Sequence, residues 1–233
     1  MTAADGTPPL AFWQDLLPPG PPERPPYRDA YVARLPDGRG ILLPLRPLPD
    51  APDRAVASLI VNQAGFAVEQ AVIDAMAERA RTIAADIVVG LPTLGLGLAR
   101  GVALALGHRR YVALGNSRKY WYLDTLSVPS RSITSPGDGK SLYIDPRLVP
   151  LVEGRRVLVI DDVVSTGGSL TAAIDLLDRL DATTAGIVVA MTQTRRWRRS
   201  PAVSRFADGL AGVLDTPAFR RVDGGWLPET ETH

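Results

Sequence analysis

From residue 64 onward, apolar positions follow the spacing of alternating helices and strands. Ile73, Met76, Ala80 and Ile83 share one face of a helix expected over 64–84. Residues 86–91, DIVVGL, read as a buried strand. A helix over 94–106 aligns Leu94, Leu98, Val102 and Ala105, and a strand follows at 110–114. The pattern resumes with a strand at 156–160, a helix at 169–180 (Leu170, Ala173, Ile174, Leu177) and a strand at 184–191. The tail from Ser200 adds one helix and one strand over 211–221. Strands that are apolar throughout are buried on both faces. The fold class is therefore α/β, an open, mostly parallel sheet flanked by helices, with ligands at the carboxyl ends of the strands. No internal repeat is visible.

Proline sets the first 60 residues apart, with 13 of the chain's 21 prolines in the first 52 positions. Residues 1–26 read as an extended, weakly ordered arm. Tyr27–Leu35 and Gly40–Leu45 flank Pro36-Asp37-Gly38, a hairpin signal. Pro44, Pro47, Pro49 and Pro52 then forbid regular structure. The expected division is a Pro-rich arm and hairpin over 1–60 and an α/β domain over 61–233. Residues 115–153 show no period, and a stretch this long suits a functional loop or lid.

Composition narrows the chemistry. Hydrophobic residues make up 45% and charged residues 22%, a globular balance. With no cysteine, disulfides, thiolate metal sites and a cysteine nucleophile are excluded. His108 and His233 cannot supply a histidine pair for a metal, nor a Ser/His/Asp triad. A net charge of +1 does not suit a polycation that coats nucleic acid. MTAADG lacks the basic and apolar regions of a secretory signal, and the apolar stretch 91–107 carries Arg100 and is short for a bilayer. A cytoplasmic protein with no membrane partner is expected. Only Lys119 and Lys140 among the 26 basic residues are lysines, and both fall in the aperiodic loop.

The chemistry concentrates in Val157-Leu158-Val159-Ile160-Asp161-Asp162-Val163-Val164-Ser165-Thr166-Gly167-Gly168-Ser169. A strand runs into two carboxylates, a turn of small residues and a helix start. Gly167 and Gly168 allow close approach of backbone to a ligand. The helix start offers unpaired N–H groups and the positive end of its dipole. With the hydroxyls of Ser165, Thr166 and Ser169, these make a cradle for a monophosphate. Asp161 and Asp162 suit hydrogen bonds from vicinal hydroxyls or a hydrated Mg²⁺. No Gly-Lys-Ser/Thr follows, so this is not a Walker loop. Gly95 and Gly97 begin a dinucleotide fingerprint, but its third glycine, Gly101, comes one place late.

This segment resembles the 5-phosphoribosyl 1-pyrophosphate (PRPP) signature of the type I phosphoribosyltransferases, and adenine-type enzymes most. The resemblance covers about 86–191. It implies that Ser165, Thr166, Gly167, Gly168 and Ser169 hold the 5′-phosphate, and that Asp161 and Asp162 hold ribose hydroxyls and water-bound Mg²⁺. Leu91, Pro92, Thr93, Leu94 and Gly95 match the loop that binds pyrophosphate, often through a strained or cis peptide. Arg118 and Lys119 match an Arg-Lys pair that neutralises pyrophosphate. Where family members often carry a further lysine, this chain has Tyr120-Trp121-Tyr122. Asp124 stands where a loop carboxylate approaches the base, and Lys140 is either a residue that closes over the site or a turn lysine. Trp121, Tyr122 and Tyr143 either stack on a purine or pack the loop down. The variable base-binding hood falls to 27–45.

The resemblance implies Mg²⁺-dependent transfer of the phosphoribosyl group of PRPP to a nucleobase, a purine with adenine as first candidate, with release of pyrophosphate; it also implies a homodimer. The alternative is a PRPP-sensing regulator that binds nucleic acid or a protein partner. Arg195-Arg196-Trp197-Arg198-Arg199 would be its contact surface, although such a run more often forms a solvated connection or a subunit contact.

Overall fold

The computed structural model of the protein describes residues 12–130, 141–207 and 209–229. In chain order the elements are β1 (Ala30–Arg34), β2 (Gly40–Leu48), β3 (Ala51–Ala57), α1 (Phe66–Ala80), β4 (Ile87–Gly90), α2 (Gly95–Ala105) and β5 (Val112–Ala113). There follow β6 (Ser127–Pro129), β7 (Ser141–Tyr143), β8 (Arg156–Val164), α3 (Gly168–Arg179) and β9 (Thr183–Gln193). The chain finishes with α4 (Pro201–Ser204), β10 (Leu210–Thr216), β11 (Ala218–Val222) and β12 (Gly225–Pro228).

The expected parallel sheet is present, with five strands in the order β10-β9-β8-β4-β5. Its strands are apolar throughout because both faces are covered. Val88, Leu158, Ile160 and Val188 face α1, α2 and the antiparallel sheet. Val89, Val157, Val159 and Val189 face α3. From β4 the chain moves outward to β5, whereas from β8 it moves the other way through β9 to β10. The strand order thus reverses between β4 and β8, and such a reversal opens a crevice at the carboxyl ends of the two strands.

A second five-stranded sheet, antiparallel in the order β1-β2-β3-β11-β12, joins both ends of the chain. Its β1–β2 hairpin turns where Pro36-Asp37-Gly38 lies, with Gly38 at φ 86°. The expectation that the prolines after residue 43 forbid regular structure is corrected: β2 runs through Pro44 and Pro47, and β3 contains Pro52. Leu45 N–H donates to Asp29 O, so by alternation the nitrogen of Pro47 faces the same side, where β1 has already ended at Ala30. A register shift between Pro47 and Leu48 takes up the rest. The arm is also more tightly held than expected over its described part. Leu17 bridges to Gly40, Tyr27 bridges to Trp226, and Trp13 Nε1 donates to Ser58 O at 3.0 Å. The tail forms three strands after α4 instead of one, because Pro217 and the turn at Gly224 cut it into segments that pair with two different sheets.

The aperiodic loop has local order where it is described. β6 and β7 pair, and Gly115 and Tyr143 exchange backbone hydrogen bonds at 2.9 and 2.8 Å. Lys140 lies outside the described residues.

Candidate active site

The crevice between β4 and β8 gathers most of the residues singled out in the sequence. Strand β8 extends beyond the carboxylates to Val164, so Asp161 and Asp162 sit within it and do not end it. Asp161 is only 5% exposed, and its Oδ1 accepts from the Asp162 N–H at 2.9 Å. Burial first, and the neighbouring Asp162 charge second, push the Asp161 carboxyl well above the usual range. Asp162 is also raised, by burial, while its hydrogen bond with Asp161 pulls the other way. The two carboxyls interact as one acid pair.

Leu91 to Gly95 lead from β4 into α2 directly beside this pair. Leu91 N–H donates to Ile160 O at 3.0 Å, and the Pro92–Thr93 peptide is cis. Gly95 opens α2 so close to β8 that an added Cβ would lie 2.9 Å from Asp161 Oδ1 and 3.0 Å from Asp161 Cα. The loop after β4 and the acid pair of β8 therefore form a single wall.

The segment that the sequence reads as a phosphate cradle follows β8. Gly167 takes the left-handed conformation at φ 83° and caps α3 with no side-chain hydrogen bond at the cap. Neither Ser165, Thr166 nor Ser169 makes a side-chain hydrogen bond to another described residue, which leaves three hydroxyls and the uncapped helix start for an anion. Two hydroxyls absent from the sequence reading hold the loop from behind. Thr171 Oγ1 donates to Gly167 O at 2.8 Å and lies 2.9 Å from Ser200 Oγ. The i,i+4 spacing of Gly167 and Thr171 was available in the sequence; Ser200, 29 residues further on, was not.

Arg118 and Lys119 follow β5 on an exposed loop. Arg118 Nε pairs with Asp124 Oδ1 at 2.8 Å, and Lys119 has no ion pair with a described residue. Asn116 Nδ2 donates to Thr93 Oγ1 at 3.3 Å and so links this loop to the cis peptide. The aromatic residues contact one another while Tyr120 stays 92% exposed and Trp121 48%. Tyr120, Trp121, Tyr122 and Tyr143 form successive ring contacts, and Trp121 Nε1 donates to Asp145 Oδ2 at 3.0 Å.

The arginine run is a 3₁₀ turn, Arg196–Arg199, whose Trp197 is buried beneath the Arg198 guanidinium. It connects β9 to α4 and backs the phosphate-cradle segment.

Among the described residues, no three acidic or histidine side chains cluster as a metal cage. Two adjacent carboxylates, one of them partly exposed, instead fit a hydrated Mg²⁺ that brings most of its ligands as water and ligand phosphate. No helix among the described residues is long and apolar enough to cross a membrane.

Residues 63–208 match the phosphoribosyl transferase domain family. The adenine phosphoribosyltransferase of Streptomyces coelicolor is 32% identical over 147 residues, covering 62% of this chain and 74% of that protein. That of Frankia casuarinae is 31% identical over 170 residues, covering 73% and 85%. Among solved structures, APRTase from Giardia lamblia complexed with 9-deazaadenine superposes with a TM-score of 0.58 at 21% identity, covering 74% of this chain and 93% of that one. The segments that build the antiparallel sheet all lie outside residues 63–208.

Proposed function

The chain belongs to the phosphoribosyl transferase family, and we propose that it transfers the phosphoribosyl group of PRPP to a purine base with release of pyrophosphate. The observation that carries this reading is the acid pair Asp161–Asp162 on β8, followed at once by an uncapped helix start with free hydroxyls, all at the strand-order reversal. Adenine is the first acceptor to test, because the relatives above carry that name.

Each group then has a role. Ser165, Thr166, Gly167, Gly168 and Ser169 bind the 5′-phosphate through hydroxyls and backbone N–H groups. Asp161 and Asp162 accept hydrogen bonds from the ribose hydroxyls and orient the sugar. Leu91, Pro92, Thr93, Leu94 and Gly95 present backbone to the pyrophosphate, and Arg118 and Lys119 neutralise it as it leaves. Arg118 must exchange Asp124 for pyrophosphate, so this pair opens when substrate binds. Positive charge develops at the anomeric carbon during the transfer. Placement and charge neutralisation therefore matter more than a strong base. Mg²⁺, when bound, supplies charge to the pyrophosphate. The loop over 115–153 excludes water, since hydrolysis of PRPP competes with transfer. The β1–β2 hairpin serves as the hood over the base, and the family resemblance implies a homodimer. The nucleic-acid reading loses support, because Arg195 to Arg199 form a turn anchored by a buried Trp197 behind the phosphate segment.

Purified protein incubated with PRPP, Mg²⁺ and adenine, guanine, hypoxanthine, xanthine, uracil or orotate tests the reading by chromatography of the products. A purine nucleotide that appears with wild type and not with the Asp161→Asn/Asp162→Asn variant supports it. PRPP binding without turnover on any purine overturns it.

A further inference from the structure

The phosphate segment is held by more than its own residues. Gly167 O accepts two hydrogen bonds from Thr171, from the backbone N–H at 2.8 Å and from Oγ1 at 2.8 Å. A threonine hydroxyl has one proton. With that proton given to Gly167 O, the 2.9 Å contact to Ser200 requires Ser200 Oγ to donate to Thr171 Oγ1. A relay therefore runs from Ser200 through Thr171 to Gly167.

The direction of the Gly167 carbonyl matters because it shares a peptide plane with the Gly168 N–H. In a trans peptide the two point in opposite directions. With the carbonyl fixed along α3 toward Thr171, the Gly168 N–H points out of the helix start, into the cradle. Fixing one fixes the other.

Ser200 is itself well anchored. Its N–H donates to Trp197 O at 3.0 Å, and its carbonyl accepts from Val203 N–H at 3.1 Å and Ser204 N–H at 2.8 Å. Trp197 and Val203, on either side, are buried in the core shared with α3. Val203 also packs against Gly167: an added Cβ there would lie 3.0 Å from Val203 Cγ2 and 3.5 Å from Ser200 Cβ. The segment from Arg195 to Ser204 is thus a rigid strap behind the phosphate loop.

We infer that Ser200, acting through Thr171, is a positioning residue for the 5′-phosphate of PRPP, and that the strap exists to hold the Gly167–Gly168 peptide in its binding orientation. Ser200 touches no substrate in this scheme. Its effect falls on binding of the phosphate and not on the chemistry at the anomeric carbon. The inference rests on the phosphoribosyl-transfer reading given above.

Initial rates against PRPP concentration, at saturating purine, test it with S200A, S200T, T171V and S200A/T171V. S200A raises KM for PRPP about five- to tenfold, the scale of one lost hydrogen bond, with kcat nearly unchanged and a fall of only a few degrees in melting temperature. S200T, which keeps the hydroxyl, restores KM. The double variant is no worse than T171V alone, since both act through one relay. Wild-type KM in S200A overturns the inference. So does a parallel fall of kcat and melting temperature that S200T fails to rescue, which marks a merely structural serine. Wild-type protein that binds no PRPP overturns the transferase reading itself. Wild-type protein that binds PRPP no better than S200A does overturns the positioning role alone.

Discussion

Replacing Gly95 by alanine sets two opposing effects against each other at the start of α2. Alanine is the better helix former by up to about 1 kcal/mol. Against this, the new Cβ would meet Asp161 Oδ1 at 2.9 Å, Asp161 Cα at 3.0 Å and Ile160 O at 3.2 Å, where ordinary contact begins at 3.4 Å. Two of these three atoms are backbone of β8, a central strand that cannot yield like a side-chain tip. Overpacking of this kind costs about 1–3 kcal/mol. The net expectation is a loss of about 1–2 kcal/mol, or a fall of roughly 2–8 °C in melting temperature for a chain of this size. The helix start must also recoil from Asp161, carrying residues 91–95 with it, so KM for PRPP rises. Gly97→Ala is the control, since its Cβ meets only Glu69 Oε1, at 3.3 Å on a flexible side chain. That variant is neutral or slightly stabilising. Calorimetric melting together with PRPP titration of both proteins decides the matter. A G95A protein as stable as wild type, with unchanged PRPP affinity, refutes the claim that the acid pair and the loop after β4 share one tightly packed wall.

The acid pair has a pH signature. Both carboxyls are raised in the folded protein, so their contribution to stability is present below the unfolded carboxylate value and is lost as pH rises through the folded values. Asp161→Asn removes that loss, and its gain in unfolding midpoint is larger at pH 8 than at pH 4 in parallel urea titrations; an equal gain at both contradicts the burial argument. Lys119→Gln lowers kcat/KM for PRPP about 100-fold, in line with removal of one charge-stabilising donor, while leaving the melting temperature in place, because Lys119 is exposed and unpaired among the described residues. Asp124→Asn frees Arg118 and tightens pyrophosphate binding about two- to threefold at low salt, the scale of one exposed ion pair; the gain disappears at high salt, and calorimetric titration at two ionic strengths shows whether it does.

The parallel sheet was legible because β4, β8 and β9 are apolar on both faces, and the chemistry was legible because Asp161 to Ser169 are contiguous. What escaped the sequence was non-local. Pro47 looks like a strand breaker until β1 is seen to stop short of it, and Pro44 until its nitrogen is seen to face the other side, where β3 ends at Ala57 opposite Leu45. Nothing near Ala218 announces that β11 will pair with β3, more than 150 residues earlier. Ser200 resembles any serine before a proline, and only the folded chain brings its hydroxyl to Thr171. The arginine run showed the opposite difficulty. Its charges are conspicuous in sequence, but the buried Trp197 between them is what fixes its place.

Pyrophosphate release from PRPP tests the central claim most directly, followed continuously with Mg²⁺ in the presence and absence of adenine. Phosphoribosyl transfer requires release that depends on an added purine, matches nucleotide formation one for one, and is abolished in the Asp161→Asn/Asp162→Asn variant while that protein remains folded. Release that persists in the variant, or that no purine elicits, contradicts it.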